Sequence, residues 1–174
     1  MKKPMAVYPD LKDRSVFISG GATGIGAAIV EAYAKQGAKT AFVDLDEKAG
    51  SALAKRLTKE GYEVRFDVCD ITDIQDYQSK IRAAAEVFGP ISVLMNNAAN
   101  DVRHSLESLT EERFDELVGV NIKHAMFAAQ AVAPMMRKLG GGSIINFGSV
   151  GWMMPTAGYP TYGTSKAATH GLTR

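Results

Sequence analysis

Ser15-Val16-Phe17-Ile18-Ser19-Gly20-Gly21-Ala22-Thr23-Gly24-Ile25-Gly26 decides how this chain is read. A short apolar run, which reads as a buried strand, ends in glycines and passes at once into a helical pattern. In that pattern Ile25, Ala28, Ile29, Ala32 and Tyr33 recur at helical spacing across residues 24–36, and Gly37 suits the position just past a helix end. Strand, glycine turn and helix start together suit a pyrophosphate. Glycines let the backbone turn sharply and approach the phosphates, while the first helical turn presents unpaired N–H groups at the positive end of the dipole. Ser19, Gly20, Thr23, Gly24, Ile25 and Gly26 are the candidate residues. Taken alone, the same pattern also fits a tight turn that binds nothing, so the surroundings must decide.

Outward from that stretch, strands and helices alternate. Thr40-Ala41-Phe42-Val43 reads as a second strand closed by Asp44, and Asp46 as the N-cap of a helix running to about residue 60. A weaker third strand covers residues 63–66, and a helix covers residues 74–87. Ile91-Ser92-Val93-Leu94-Met95 is a fourth strand, followed by a long helical region over residues 110–138 with a bend near Gly119. Gly140-Gly141-Gly142 breaks the helix, residues 143–147 form a fifth strand, and a last helix is expected over residues 162–174. This order predicts an α/β fold: a doubly wound parallel sheet of Rossmann type, built as one domain over residues 1–174.

Composition narrows the function classes. With 46% hydrophobic and 22% charged residues the chain has the make-up of an ordinary globule. Twenty basic against nineteen acidic residues leave a net charge of +1, so no bulk field favours nucleic acid or an anionic membrane. One cysteine and three scattered histidines offer no intrachain disulfide and no zinc-ligand spacing. The first ten residues lack an apolar stretch of secretory length, and no window is long and apolar enough to span a bilayer. A cytoplasmic setting without a metal is the expectation.

Two further features raise the odds of a dinucleotide. Asp44, at the C-terminal end of the second strand, can accept hydrogen bonds from a ribose 2′-hydroxyl, and its charge would repel a 2′-phosphate. NAD is therefore favoured over NADP. Asp67, at the end of the third strand, reads either as a partner for the adenine amino group or as a solvated strand-end carboxylate.

A chemical end follows the fifth strand. Tyr162 and Lys166 lie four apart on the last helix and share a face. An ammonium close to a phenol favours the phenolate, which can take a proton from an alcohol or return it in reverse. Ser149, at the end of the fifth strand, could hold the substrate oxygen. With six tyrosines in the chain such a pair is ordinary by chance, and Tyr8 with Lys12 is a second instance, but Pro9 keeps that one off any helix. Tyr162 and Lys166 differ in lying on the rim where ligands of open α/β sheets bind.

On these residues the chain resembles the short-chain dehydrogenase/reductase family over almost its whole length. The matching features are Ser19-Gly20-x-x-x-Gly24-x-Gly26, Asp67-Val68, Asn96-Asn97-Ala98-Ala99, Asn121, and Ser149 with Tyr162-x-x-x-Lys166. The resemblance implies Tyr162 as acid/base, Lys166 as the cation that favours the phenolate and binds ribose, Ser149 as substrate anchor, and Asn121 as organiser of a proton relay. It also implies that Asn97 and Ala98 line the cofactor and that Val68 supports adenine. Ser19 stands where threonine is usual and Ala99 where glycine is usual.

The segment Asn97-Ala98-Ala99-Asn100-Asp101-Val102-Arg103-His104 resembles the branch that oxidises aldoses at C1. Its polar side chains suit a polyhydroxylated substrate, or equally a solvated loop. Trp152, Met153, Met154 and Tyr159 read either as pocket walls or as core packing. The resulting expectation is an oxidoreductase moving hydride between NAD and the CH–OH group of a sugar or secondary alcohol, most simply an aldose 1-dehydrogenase. A 3-oxoacyl-thioester reductase and a non-catalytic NAD-binding module are the alternatives. The family continues past residue 174 with a sixth strand, a substrate lid and much of the oligomer interface. The chain is therefore expected to be part of a longer protein, a homo-oligomer (dimer or tetramer) when full length, and to turn over little by itself.

Overall fold

The computed structural model describes residues 6–155 and 157–174; the reading of the first five residues lies outside them. Five strands, β1 (Ser15–Ser19), β2 (Lys39–Asp44), β3 (Val64–Val68), β4 (Val93–Asn96) and β5 (Ser143–Asn146), form one sheet in the order β3-β2-β1-β4-β5. Every neighbouring pair is parallel. Six α-helices accompany them among the described residues: α1 (Gly24–Lys35), α2 (Glu47–Lys59), α3 (Ile74–Phe88), α4 (Glu111–Val118), α5 (His124–Lys138) and α6 (Pro160–Thr173). The winding reverses between β1 and β4, which is where a doubly wound sheet opens a crevice beyond its strand ends.

Alternation along β1 explains the two cores. Phe17 packs with Tyr77 and Ile81 of α3 and with Ala128 and Val132 of α5. Val16 and Ile18 point to the opposite face, against Val30 and Ala34 of α1 and Leu57 of α2. All five residues of β1 are buried, as a strand covered on both faces requires. Each large side chain removed from water this way contributes about 1.5–3 kcal/mol.

Several boundaries move for local reasons. The Asp46 carboxylate accepts the Ala49 N–H at 2.9 Å, as an N-cap should. β3 starts one residue later than expected and extends to Val68, while β4 starts at Val93 and extends to Asn96. The expected bend near Gly119 is a π-helical turn, Gly119–Lys123, between α4 and α5. α6 begins at Pro160, a residue suited to a first helical position, so Tyr162 falls in its first turn. Among the described residues no helix is long and apolar enough to cross a membrane.

Candidate active site at the C-terminal rim of the sheet

The register brings Ser19, Val43 and Asn96 side by side, so the glycine turn leaves the sheet beside the end of β4. Gly20 adopts φ +67°, and the N–H groups of Gly20 and Gly21 both donate to the Val43 carbonyl at 2.9 and 3.1 Å. The start of α1 then folds back so closely that a methyl group on Gly26 would lie 1.8 Å from the Gly20 carbonyl oxygen. Only a glycine allows that approach. The Ser19 hydroxyl is fully buried; it donates to the Met95 carbonyl and accepts the Asn97 and Ala98 N–H groups, each at 3.2 Å. The Asn97 side-chain amide donates in return to the Ser19 and Gly20 carbonyls, at 3.1 and 2.8 Å. Ser19 and Asn97 thus hold the turn in shape from behind.

In front of it lies a cavity of about 580 Å³ whose walls include Gly20, Thr23, Ile25, Gly26, Asp44, Asn97 and Ala98. The Asp44 carboxylate is fixed on this wall, accepting the Ala22 N–H on one oxygen at 2.9 Å and the Asp46 N–H on the other at 3.0 Å. Each oxygen keeps a further lone pair.

Asp67 and Val68 are not brought to the cavity. The Asp67 carboxylate is held by the Arg65 guanidinium at 2.6 and 3.0 Å, because residues two apart on a strand share a face, and this pairing raises the arginine pKa. Val68 is 42% exposed. The wall is built instead by Cys69, Asp70, Ile71 and Thr72. β3 runs on past residue 66, so the chain enters the rim three residues later than its apolar run suggests. The legible signal was Asp73, the N-cap of α3, which accepts the Asp76 N–H at 3.1 Å. Counting back from that cap places Asp70, rather than Asp67, on the connecting loop. The buried Cys69 thiol is pushed up to about 12, by burial first and then by the charge of Asp76, so it stays an inert thiol.

Asn121 sits inside the π-helical turn, 3% exposed, and clasps the loop after β4. Its side-chain oxygen accepts the Asn100 N–H and its amide donates to the Asn100 carbonyl, both at 2.9 Å. Its neighbour Val120 and Asn100 line the same cavity, so the clasp ties the cavity wall to the helix that faces α6.

Lys166, on the second turn of α6, is 4% exposed; its ammonium donates to the Phe147 carbonyl just past β5 at 2.6 Å. Burial lowers its pKa. The same nitrogen lies 5.5 Å from the centre of the Tyr162 ring. The Ser149 hydroxyl accepts the Gly151 N–H at 3.0 Å, which occupies a lone pair and leaves its own proton available to a ligand. Tyr159 meets Tyr162 edge to face, with centroids 5.5 Å apart at 87°.

Other features here were not foreseen. His124 is 1% exposed, and neither ring nitrogen has a hydrogen-bond partner among the described residues. Burial, and then the Lys166 charge, hold its pKa down at about 4. The loop carrying Arg103 and His104 is also fastened to the start of α6. The His104 N–H donates to the Gly158 carbonyl at 2.9 Å, and its Nε2 lies 3.0 Å from the Thr161 hydroxyl. The Arg103 guanidinium lies over the Tyr159 ring at 4.1 Å. Trp152, Met153 and Met154 are exposed rather than core, and Trp152 and Met154 join Gly151 and Tyr159 around a cavity of about 290 Å³.

The sequence pattern of the family described as short chain dehydrogenase matches residues 14–174. The chain belongs to that family, whose members are oxidoreductases. It is 42% identical over 175 residues to a Rhizobium meliloti protein called "Probable galactose dehydrogenase GalD", covering all of this chain and 68% of that one. It is 40% identical over 169 residues to the D-xylose 1-dehydrogenase of Caulobacter vibrioides, covering 97% of this chain and 66% of the other. Among solved structures, a Serratia marcescens short-chain dehydrogenase/reductase matches with TM-score 0.88 and 34% identity, over 95% of this chain and 67% of that one. A metagenomic blue fluorescent protein in complex with NADPH matches with TM-score 0.85 and 30% identity, over 93% and 66% of the two chains. The chain spans about two thirds of the length of these relatives.

Proposed function

We propose that this chain carries the dinucleotide and proton-transfer sites of an NAD-dependent dehydrogenase that oxidises a CH–OH group of a sugar, with an aldose oxidised at C1 as the best-supported substrate. The observation that carries the reading is the Lys166 ammonium, desolvated, anchored on the Phe147 carbonyl just past β5 and 5.5 Å from the centre of the Tyr162 ring.

The fit to a dinucleotide rests on the glycine turn. Gly24 has φ +54° and open space where a side chain would stand, and Gly26 cannot bear one at all. Backbone N–H groups at the start of α1 are therefore accessible to phosphate oxygens. The Asp44 carboxylate, held by two N–H groups, has lone pairs left for a ribose diol and a charge that repels a 2′-phosphate, which supports NAD over NADP. Asp70 and Ile71 take the adenine-edge role in place of Asp67 and Val68, supported by their position on the cavity wall. When bound, the nicotinamide supplies the hydride acceptor.

The residues of the chain do the rest. Ser149 donates a hydrogen bond to the substrate oxygen, Lys166 favours the phenolate of Tyr162, and Tyr162 takes the hydroxyl proton. Asn121 positions the loop after β4 through its two bonds to Asn100. The polar loop with Asp101, Arg103 and His104, together with relatives named for galactose and D-xylose, supports a sugar. Exposed Phe114 on α4 and Met126 on α5 support assembly as a homo-oligomer, and the free thiol supports a reducing compartment such as the cytoplasm.

Tyr162→Phe tests the reading in the intact protein. Aldose-dependent NADH formation should fall by about 10²–10⁴-fold, the range of general acid–base catalysis, while NADH affinity and melting temperature hold. Turnover that survives the change would overturn the assignment.

A further inference from the structure

We propose that Tyr159, with Arg103 on its ring, is the group that recognises the substrate hydroxyl on the carbon next to the reacting one. This rests on the reading of the site as a sugar dehydrogenase and adds a residue that reading does not contain.

Three observations place Tyr159. Its ring packs edge-on against that of Tyr162, so the two phenols are neighbours on the first turn of α6 and the residue before it. A methyl group on Gly151 would lie 3.1 Å from the Tyr159 hydroxyl and 3.2 Å from the Ser149 hydroxyl, so both oxygens flank the same point. The guanidinium of Arg103 lies over the face of the ring, 4.1 Å from its centre. The Tyr159 hydroxyl therefore stands beside the group that holds the reacting oxygen, rather than in the core.

The loop that brings Arg103 there is fixed. The His104 N–H bonds the Gly158 carbonyl, and its ring meets the hydroxyl of Thr161, itself 2% exposed. Arg103 thus arrives on a support tied to α6 at both sides of Tyr159. A cation on an aromatic face holds the ring in one orientation. The phenol can then donate or accept a hydrogen bond at a set distance from Ser149. In an aldose bound through its C1 oxygen at Ser149, the nearest other hydroxyl is the one on C2, since the ring oxygen on C1 carries no proton. A side chain on Gly151 would crowd both hydroxyls, and the glycine leaves them unobstructed on that side.

An aldose and its 2-deoxy analogue separate this role from a structural one. In the intact protein with NAD, the ratio of kcat/KM for the parent sugar to that for the 2-deoxy sugar is measured for wild type, Tyr159→Phe and Arg103→Met, using galactose and xylose with their 2-deoxy counterparts. Tyr159→Phe keeps the ring, its contact with Tyr162 and the face under Arg103, and should reduce the ratio by about tenfold, the weight of one neutral hydrogen bond. Arg103→Met should reduce it severalfold. A change that only disturbed folding would move both sugars together and leave the ratio alone. An unchanged ratio in Tyr159→Phe, with wild type oxidising the parent sugar, overturns this inference and leaves the dehydrogenase reading standing. A wild-type protein that oxidises neither sugar, while oxidising other secondary alcohols, overturns both the sugar assignment and this one.

Discussion

Replacing His124 with leucine should remove a built-in sensitivity to acid. The wild-type imidazole is 1% exposed, 6.1 Å from the Tyr77 ring, and its nitrogens have no hydrogen-bond partner among the described residues. Desolvation, followed by repulsion from the Lys166 ammonium, lowers its pKa to about 4. In the unfolded chain a histidine titrates near ~6.5. Between those values the unfolded chain binds a proton that the folded one does not, so folded stability rises with pH across the window and is lost as pH falls. Going from pH 7 to pH 4.5, this single group should cost about 2 kcal/mol. For a chain of this length that is a drop of about 4–8 °C in melting temperature. Leucine at the same place has no proton to gain. Thermal unfolding of wild type and His124→Leu at pH 7, 6, 5 and 4.5 should give curves that diverge toward acid, with wild type falling further by about that amount. Groups common to both proteins cancel in the difference. Parallel curves would refute the claim that the imidazole is buried neutral beside Lys166.

Gly26→Ala should disrupt the glycine turn, because a methyl carbon 1.8 Å from the Gly20 carbonyl cannot be relieved by a side-chain rotation. NADH affinity measured by calorimetric titration should weaken more than tenfold, and a normal affinity would show that the turn is not the phosphate cradle. Asp44→Asn keeps the shape but removes the charge and sets an amide N–H against one of the two donors it now accepts. It should cost about 1–2 kcal/mol of stability and raise the NADP/NAD affinity ratio at least tenfold, as read by parallel titrations; an unaltered ratio would remove Asp44 from cofactor choice.

Local signals were legible where local physics decides. The glycine turn, the Asp46 cap and the alternation of strands and helices depend on neighbours within a few residues, and they stand where the pattern placed them. The end of β3 lies two residues beyond the expected one because β3 is an edge strand whose end is set by pairing with β2, with Asp44 opposite Val68, rather than by its own apolar run. α6 starts two residues before the expected position because Pro160, with its fixed φ and no N–H to satisfy, suits the first helical position. Asn121 was meaningful only through the family resemblance, since nothing in its own helix announces a clasp on Asn100.

Period, glycine placement and the four-residue step from Tyr162 to Lys166 come from the order of residues, because backbone geometry turns spacing into direction within one element. The depth at which Lys166 and His124 lie, and the meeting of Arg103 with Tyr159, arise only when separate elements pack. Desolvation depends on what closes over a group from every side, and a cation reaches an aromatic face only through the fold that carries both.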